Sequence, residues 1–545
     1  MLNKLSQIIL KYPISVMTII LIVTAYFFHN AFLSEQRLKV DFSLEQMFPE
    51  SDPEKDAYQL FIDEFNREDD KILLVYDCDN PTSRKNISRI AELTEMMELD
   101  IDGIEGVISL SSIGDGDYFS EDLTDEEWNT QVEKLLQHPI YPNLIISSDG
   151  KTGSLLIDLE NDVIGQDART RVVSQLETVM NKVNWEWHEA GIPVLRTRYI
   201  QFMNKERAVF LPISFLVAMS VLLFIFRQVK SIIIPLIAIS TTLVWVAGIM
   251  AHFEISINVV SYLTFNLLMI IGASNAIHLL MKYHEGLSLG LSQRDSLERV
   301  IQKIGGALFL TSFTTAVGFC SLGFTNIKVT QQFGLLVGFG VILMFILTII
   351  IMPIILNYIR PPNNEHIDRL IRGEQFLAAD RLNTWNQKHP RSIITISGIL
   401  FIVALFGLFK IDYNASVLED LKPGNPLYDD LQYVEQKMGG TLPLEVIIDT
   451  KSENGSLQPQ FLSKILNYKE MILKTPEINT AVTPGDYLML ANEEWGDGIR
   501  QLPNSLNDAL SFTVDFDRVQ ALLNEDYSKT RISCRISDLP FEIGK

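Results

Sequence analysis

A chain of 545 residues, 47% of them hydrophobic and with a positive mean hydropathy, is too apolar for an ordinary soluble protein and long enough for several domains, so part of it belongs in lipid. A net charge of −22 and an isoelectric point near 4.8 exclude nucleic acid as a partner. Three scattered cysteines (Cys78, Cys320, Cys534), without a CxxC pair or a histidine cluster, indicate neither a disulfide framework nor a metal site.

In chain order, residues 1–12 read as a cytoplasmic amphipathic lead and 13–33 as the first of seven apolar runs of about 20 residues, the length that crosses a bilayer core. The first run has a long apolar core and no convincing small-x-small site after it, so it is an uncleaved anchor rather than a secretory signal. Residues 34–206 form an α+β domain. Strand-like DKILLVYD (70–77), GIEGVISLSSI (103–113) and KTGSLLIDLE (151–160) alternate there with helix-like TSRKNISRIAELTEMMEL (82–99) and DARTRVVSQLETVMNKV (167–183). A βαβ-type sandwich, with helices packed on one face of a small sheet, suits this pattern. Residues 207–357 hold spans two to six (208–227, 231–251, 257–280, 305–323, 331–357). A cytoplasmic linker follows at 358–391, then a seventh span at 392–410 and a second soluble domain at 411–545. Segments 285–303 and 364–388 read either as amphipathic surface helices with basic polar faces or as plain connectors.

None of the seven spans contains Asp or Glu. Lys4 and Lys11 precede the first span, Arg227 and Lys230 join the second to the third, and Lys282, Arg294, Arg299 and Lys303 follow the fourth. Arg360, Arg369, Arg372, Arg381, Lys388 and Arg391 lie between the sixth and seventh, whereas the short loops 252–256 and 324–330 carry only Lys328. By the positive-inside rule the amino terminus is cytoplasmic. Residues 34–206 and 411–545, which hold most of the acidic surplus, are then periplasmic.

The chain starts its pattern a second time. NKLSQIILKYP (3–13) returns as DRLNTWNQKHP (380–390), SLEQMFP (43–49) as VLEDLKP (417–423), and KILLVYD (71–77) as LEVIIDT (444–450). TGSLLIDLEN (152–161) corresponds loosely to RISCRISDLP (531–540). The second copy is incomplete, since two full copies would need about 750 residues. A carboxy-terminal truncation is the first expectation and a natural half-length protein the second.

One span, an external domain, five spans, a cytoplasmic link and a restart resemble the resistance-nodulation-division (RND) superfamily, and within it the MMPL-like branch. AGIPVLRTRYIQFMNKERAVFLPIS (190–214) is similar to that family's lead into its second span, and IIGASNAIHLLMKYHEG (270–286) to its fourth-span motif. The run from Phe309 to Leu356 resembles its fifth and sixth spans, with a Thr/Ser-rich start, Gly318, a short loop, Phe333-Gly334 and Pro353. The resemblance implies a polytopic α-helical membrane protein with porter-like α+β extracytoplasmic domains and an RND-type internal repeat, here with the second repeat incomplete. It also implies a bacterial inner-membrane carrier of lipids or other hydrophobic molecules, driven by protons through intramembrane aspartates, which are costly in lipid and therefore functional where they occur. A homo-oligomer or a periplasmic partner protein is compatible with it; no cofactor is implied. The spans 208–357 also resemble the sterol-sensing domain of eukaryotic relatives.

In proton-coupled members Gly-x-Asp-Tyr precedes a small-Ile-His-Leu stretch. Here Gly272-Ala273-Ser274-Asn275 precedes Ala276-Ile277-His278-Leu279, so Ser274 takes the Asp place and Asn275 the Tyr place. Neither exchanges a proton near neutral pH. Ser274 and Asn275 read as relics of a relay, as neutral ligands for a cation such as Na⁺, or as interhelical glue; Asn266, two turns earlier, reads as packing. His278 could serve a proton step or sit at the cytoplasmic interface. Thr311, Ser312, Thr314 and Thr315 could face the fourth-span motif or bond back to helix carbonyls. Gly272, Gly318, Gly334 and Gly338 are expected to permit close helix contact.

No Walker loop, GxSxG or HExxH occurs, so the chain is not expected to be an enzyme. The leading expectation is an RND/MMPL-like exporter whose coupling carboxylate, if proton-driven, lies outside this chain segment, at about residue 650 by the repeat spacing. The alternative is a non-transporting lipid- or sterol-sensing or assembly module of the same fold.

Overall fold

A computed structural model of the chain describes residues 6, 9–34, 37–40, 49, 53–65, 71–116, 118–120, 122–138, 140–160, 163, 165–258, 260–371, 377–409, 424–496 and 498–537. The repeat landmarks SLEQMFP and VLEDLKP lie outside them, Pro49 apart, as do most of residues 1–12. Helix α1 (Pro13–Phe32) opens on a proline, whose missing N–H falls where a helix has no acceptor for it. Then come α2 (Pro53–Phe65), β1 (Lys71–Asp77), α3 (Arg84–Asp100), β2 (Ile104–Ile108), α4 (Asp125–Leu136), β3 (Thr152–Leu159), α5 (Gln166–Met180) and β4 (Glu186–Ala190). A long helical stretch holds α6 (Ile192–Phe226), α7 (Lys230–His252), α8 (Leu263–Ser288), α9 (Gly305–Cys320), α10 (Lys328–Tyr358), α11 (Asn364–Ile371), α12 (Leu377–Lys388) and α13 (Pro390–Leu408). The last part comprises α14 (Pro426–Met438), β5 (Leu442–Asp449), α15 (Pro459–Ile472), β6 (Ile478–Val482), α16 (Pro484–Trp495), α17 (Leu506–Asp515) and β7 (Lys529–Ile536). Helix starts are fixed by side chains. Ser83 accepts from the Asn86 N–H, and Thr124 with Glu127, like Thr483 with Asp486, closes a reciprocal capping box.

The chain divides into two compact units, residues 1–55 with 201–411 and residues 56–200 with 412–545. The first holds the membrane helices. Among the described residues, seven helices are long and apolar enough to cross a bilayer: α1, α6, α7, α8, the Gln293–Phe324 stretch around α9, α10 and α13. This is a polytopic membrane protein. Helix α10 is its centre, packed against α7, α8 and α9, while α13 has no buried side chain among the described residues. A Cβ on Gly334 would collide with the Phe319 carbonyl oxygen and one on Gly338 with the Cys320 Sγ, so α10 meets the end of α9 almost backbone to backbone. Helix α8 starts later than the apolar run that encodes it. Ile257 instead pairs with Val40 in a parallel bridge, and the Asn258 side chain accepts the N–H groups of Val260 (3.1 Å) and Ser261 (2.8 Å), holding a turn before the helix can begin.

The second unit holds two sheets. The first has the order β2-β3-β1-β4, and every ladder in both sheets is antiparallel. Because β1 and β2 each run against β3, they are parallel to one another with β3 between them; β3 and β4 flank β1 likewise. The βαβ pattern is thus present only in its split form. Ile72, Leu74, Tyr76, Leu155 and Ile157 face α3 and α5 in one core, while Leu73, Val75 and Ala190 face the other way. The second sheet, β5-β7-β6, buries Ile532, Cys534 and Ala481 against Ile465 of α15.

The remaining faces are covered by exchange. Helix α14, which precedes the second sheet, lays Leu427, Leu431, Val434 and Met438 on Leu73, Val75 and Ala190 of the first. Helix α2, which precedes the first sheet, lies against β7 of the second: Glu64 pairs with Lys529, and Phe61 and Phe65 take the Arg531 guanidinium at 5.4 and 5.8 Å. A polar chain reinforces the α14 contact. His188 Nδ1 lies 2.8 Å from Asp430, its ring stacks on Tyr433 at 3.8 Å, and the Tyr433 hydroxyl and Thr152 Oγ1 both donate to Asp77.

Two expectations follow. Gly191 has φ +110°, and a Cβ there would strike the Lys71 carbonyl oxygen, so Gly191→Ala should cost about 3 kcal/mol. Gly106→Ala, with open space at its Cβ, should stay within about 0.5 kcal/mol. Thermal midpoints of the purified full chain decide this, and equal losses would remove the strained turn as the cause. His138 is 6% exposed, its Nδ1 accepts the Ile140 N–H at 3.2 Å, and burial, with lesser repulsion from Arg500 and Lys469, pushes its pKa down to about 3. The unfolded chain, with an ordinary value near 6.5, binds the proton first. Stability present above about pH 6.5 is therefore lost as pH falls, by about 2 kcal/mol between pH 7 and pH 5. His138→Phe should flatten the thermal midpoint over that range, and an unchanged slope would count against this origin.

Candidate functional site

Within the membrane unit, α8 presents two stripes. Leu268, Gly272, Asn275 and Leu279 are buried, whereas Ile270, Ser274 and His278, spaced four apart, are exposed. A Cβ on Gly272 would lie 2.7 Å from Met344 Sδ and 2.8 Å from Ile239 Cγ1, so this glycine marks where α7, α8 and α10 converge. Asn275 is 4% exposed, and its Nδ2 has no hydrogen-bond partner among the described residues. The same is true of Oδ1 of half-buried Asn266 and the hydroxyls of Thr264, Ser312 and Thr348. Thr311 and Thr314 spend their hydroxyls on the carbonyls of Ala307 (3.1 Å) and Thr311 (2.9 Å), and Thr315 is half-buried. A Cβ on Gly318 would meet no atom within 4 Å among the described residues. Asn275 and Ser312 are thus inside the helix bundle, and Ser274, His278 and Thr311 are on its outside.

The α+β unit contains a cleft of about 660 Å³ between the faces of its two sheets. The first sheet contributes Lys71, Leu73, Leu156 and Asp158, and the second contributes Arg531, Ser533 and Arg535 from β7. Strand alternation explains the second set. Ile532 and Cys534 turn to the α15 core, so Arg531, Ser533 and Arg535 turn to the cleft. Most charges here are matched: Lys71 with Asp158 at 2.6 Å across the β1–β3 ladder, Lys469 with Asp486 at 2.7 Å, and Ser533 donating to Glu445 at 2.7 Å beside Arg531. Arg535 differs. Neither Nη1 nor Nη2 has a hydrogen-bond partner among the described residues, and burial lowers its pKa to about 10, which leaves it charged at neutral pH. No group of His, Cys, Asp and Glu among the described residues could hold a metal ion.

The sequence pattern of the MMPL family matches residues 47–374, more than half of the chain. The chain belongs to the MMPL family. Among individual proteins it is similar to a membrane protein of Methanocaldococcus jannaschii, with 21% identity over 379 residues that make up 65% of this chain and 92% of that protein. Membership of the MMPL family points to an RND-like membrane transporter.

Sequence reasoning missed the cleft residues of this MMPL protein. A signal existed: in Arg531-Ile-Ser-Cys-Arg-Ile536 the apolar and basic positions alternate with period two, the mark of a strand whose second face is not simply solvated. In the membrane unit, replacing Asn275, whose Nδ2 is unpartnered among the described residues, by Leu should leave stability unchanged or raise it by up to about 1 kcal/mol, read from the thermal midpoint, because no hydrogen bond among those residues is lost. A loss larger than that would show that the amide has a partner.

Proposed function

We propose that this MMPL protein exports a lipid or another hydrophobic molecule across the plasma membrane, with the cleft of the α+β unit as the place where the molecule is held. The observation that carries the reading is the cleft itself: a chamber between two sheets, lined by apolar and basic side chains, in a chain whose other unit is a bundle of membrane helices. Clefts of this size, apolar with a few convergent polar groups, suit small amphiphiles. The basic residues around the spans support a cytoplasmic amino terminus and an α+β unit on the outer side, periplasmic in a cell with two membranes. The parallel strand orders, with β1 and β5 in one place and β3 and β7 in another, support a duplicated α+β half. Proton-motive force is the proposed drive. The coupling group is then a carboxylate outside the seven apolar runs read from the sequence, because Ser274 and Asn275 hold the places where one would be expected and none of those runs carries Asp or Glu.

That same absence favours a second reading, a lipid-sensing or assembly module that binds without transporting. Full-length protein in liposomes, loaded with a fluorescent phospholipid and given an imposed pH gradient, separates them. Movement of the lipid that stops when a protonophore collapses the gradient is the expected outcome. Movement indifferent to the protonophore would sink proton coupling, and saturable binding with no movement would sink export and leave the sensor.

A further inference from the structure

One part of the cleft asks for more than an apolar guest. Arg535 on β7 stands directly opposite Thr480 on β6, and directly paired side chains in neighbouring strands lie about 5 Å apart at Cβ. Both residues line the cleft. Thr480 Oγ1 is buried without a hydrogen-bond partner among the described residues, as are Arg535 Nη1 and Nη2, so three polar atoms that can donate are unmatched there at one point of the wall. A buried guanidinium without a counter-charge is strongly unfavourable, and natural proteins keep one where something else supplies the acceptor. Of the five cationic lining side chains, Lys71, Lys469 and Arg531 stand beside Asp158, Asp486 and Glu445, whereas Arg535 has no ion-pair partner among the described residues.

We infer that the cleft selects an anionic amphiphile, whose carboxylate or phosphate oxygens are bound by the Arg535 guanidinium and the Thr480 hydroxyl while its apolar chain lies along Leu73 and Leu156. Arg535 accepts such a group as a two-pronged donor, and Thr480 adds a third hydrogen bond. This deepens the reading of the cleft as the place where the transported molecule is held, and rests on it.

The test uses full-length protein in phosphatidylcholine nanodiscs and a fluorescent fatty acid as the reporter, with empty nanodiscs subtracted. Dodecanoic acid and dodecyl phosphate should each displace the reporter at least about tenfold better than dodecanol or inorganic phosphate. Arg535→Gln should weaken dodecanoic acid about 30-fold, to the level of dodecanol. Arg535→Lys should retain part of the preference, and Thr480→Val should cost several-fold. Because nothing among the described residues pairs with the guanidinium, Arg535→Gln should not lower the thermal midpoint, so its effect is separable from unfolding. Equal displacement by acid and alcohol in the unaltered protein would overturn the proposal without any variant. Displacement by inorganic phosphate as good as by dodecyl phosphate would replace the amphiphile by a free anion and overturn it too. Selective binding without lipid movement in liposomes would leave this site standing while removing export.

Discussion

The α+β unit depends on one constraint: neither sheet can bury its second face with its own helices. A sheet covered on one side only leaves apolar strand positions such as Leu73 and Val75 in water, at about 2 kcal/mol for each large side chain. The chain solves this by exchange, sending α14 to the first sheet and α2 to the second. The two halves therefore fold as one body despite their separation in sequence, and neither can leave without stripping the other. Polar contacts add orientation to this apolar clamp. His188 with Asp430, and Tyr433 with Thr152 on Asp77, fix the register of α14 in a way that four aliphatic side chains sliding on a sheet would not.

The cleft follows from the same exchange. Each visiting helix covers part of a sheet, and what it leaves uncovered becomes the wall of a chamber. On the first sheet the uncovered end carries Lys71 and Asp158, which neutralise each other in cross-strand register. On the second it carries Arg531 and Arg535. Arg531 is held by the aromatic rings of α2 and by the neighbourhood of Glu445, whereas the Nη atoms of Arg535, four residues further along β7, have no hydrogen-bond partner among the described residues. A guanidinium without a hydrogen-bond partner among the described residues, in a wall most of whose charges are matched, is a departure from local consistency, and such departures tend to mark sites of function rather than of stability.

Much of the membrane unit was legible because its signal is strong. Twenty apolar residues without a carboxylate have few fates, and Gly334 and Gly338 announced the close approach of α10 to its neighbour. Helix phase was harder. Ser274 and Asn275 are adjacent in the sequence and equal in polarity, yet 100° of rotation puts one outside the bundle and the other inside, and only packing decides which. Gly318 reads like a packing glycine in the sequence, yet a Cβ there has no neighbour within 4 Å among the described residues, since composition does not say which side of a helix has a neighbour. In the α+β unit, β1 and β3 showed as apolar runs because both their faces are buried. Strand β4 did not: Glu186-Trp-His-Glu-Ala190 is an edge strand whose charged residues find partners such as Arg198 and Asp430, contacts that no local pattern contains. Exchange of α2 and α14 was invisible for the same reason, because a helix records its apolar face but not the identity of the sheet it will cover.

The two units make different demands on polar groups. In lipid an unmatched donor has no water to fall back on, so Asn275 and Ser312 are tolerable only as neutral groups, and the seven apolar runs carry no carboxylate. In the α+β unit a full guanidinium is retained at a buried wall position, at greater cost. If the lone charge served only stability, a leucine in its place would do better, as replacement of buried ionic groups by apolar ones commonly shows. Its position on the cleft face of β7, opposite an equally unmatched Thr480, assigns that cost to recognition. On the proposed reading, selection of the guest by charge belongs to the sheets and its passage to a bundle whose apolar runs carry no carboxylate.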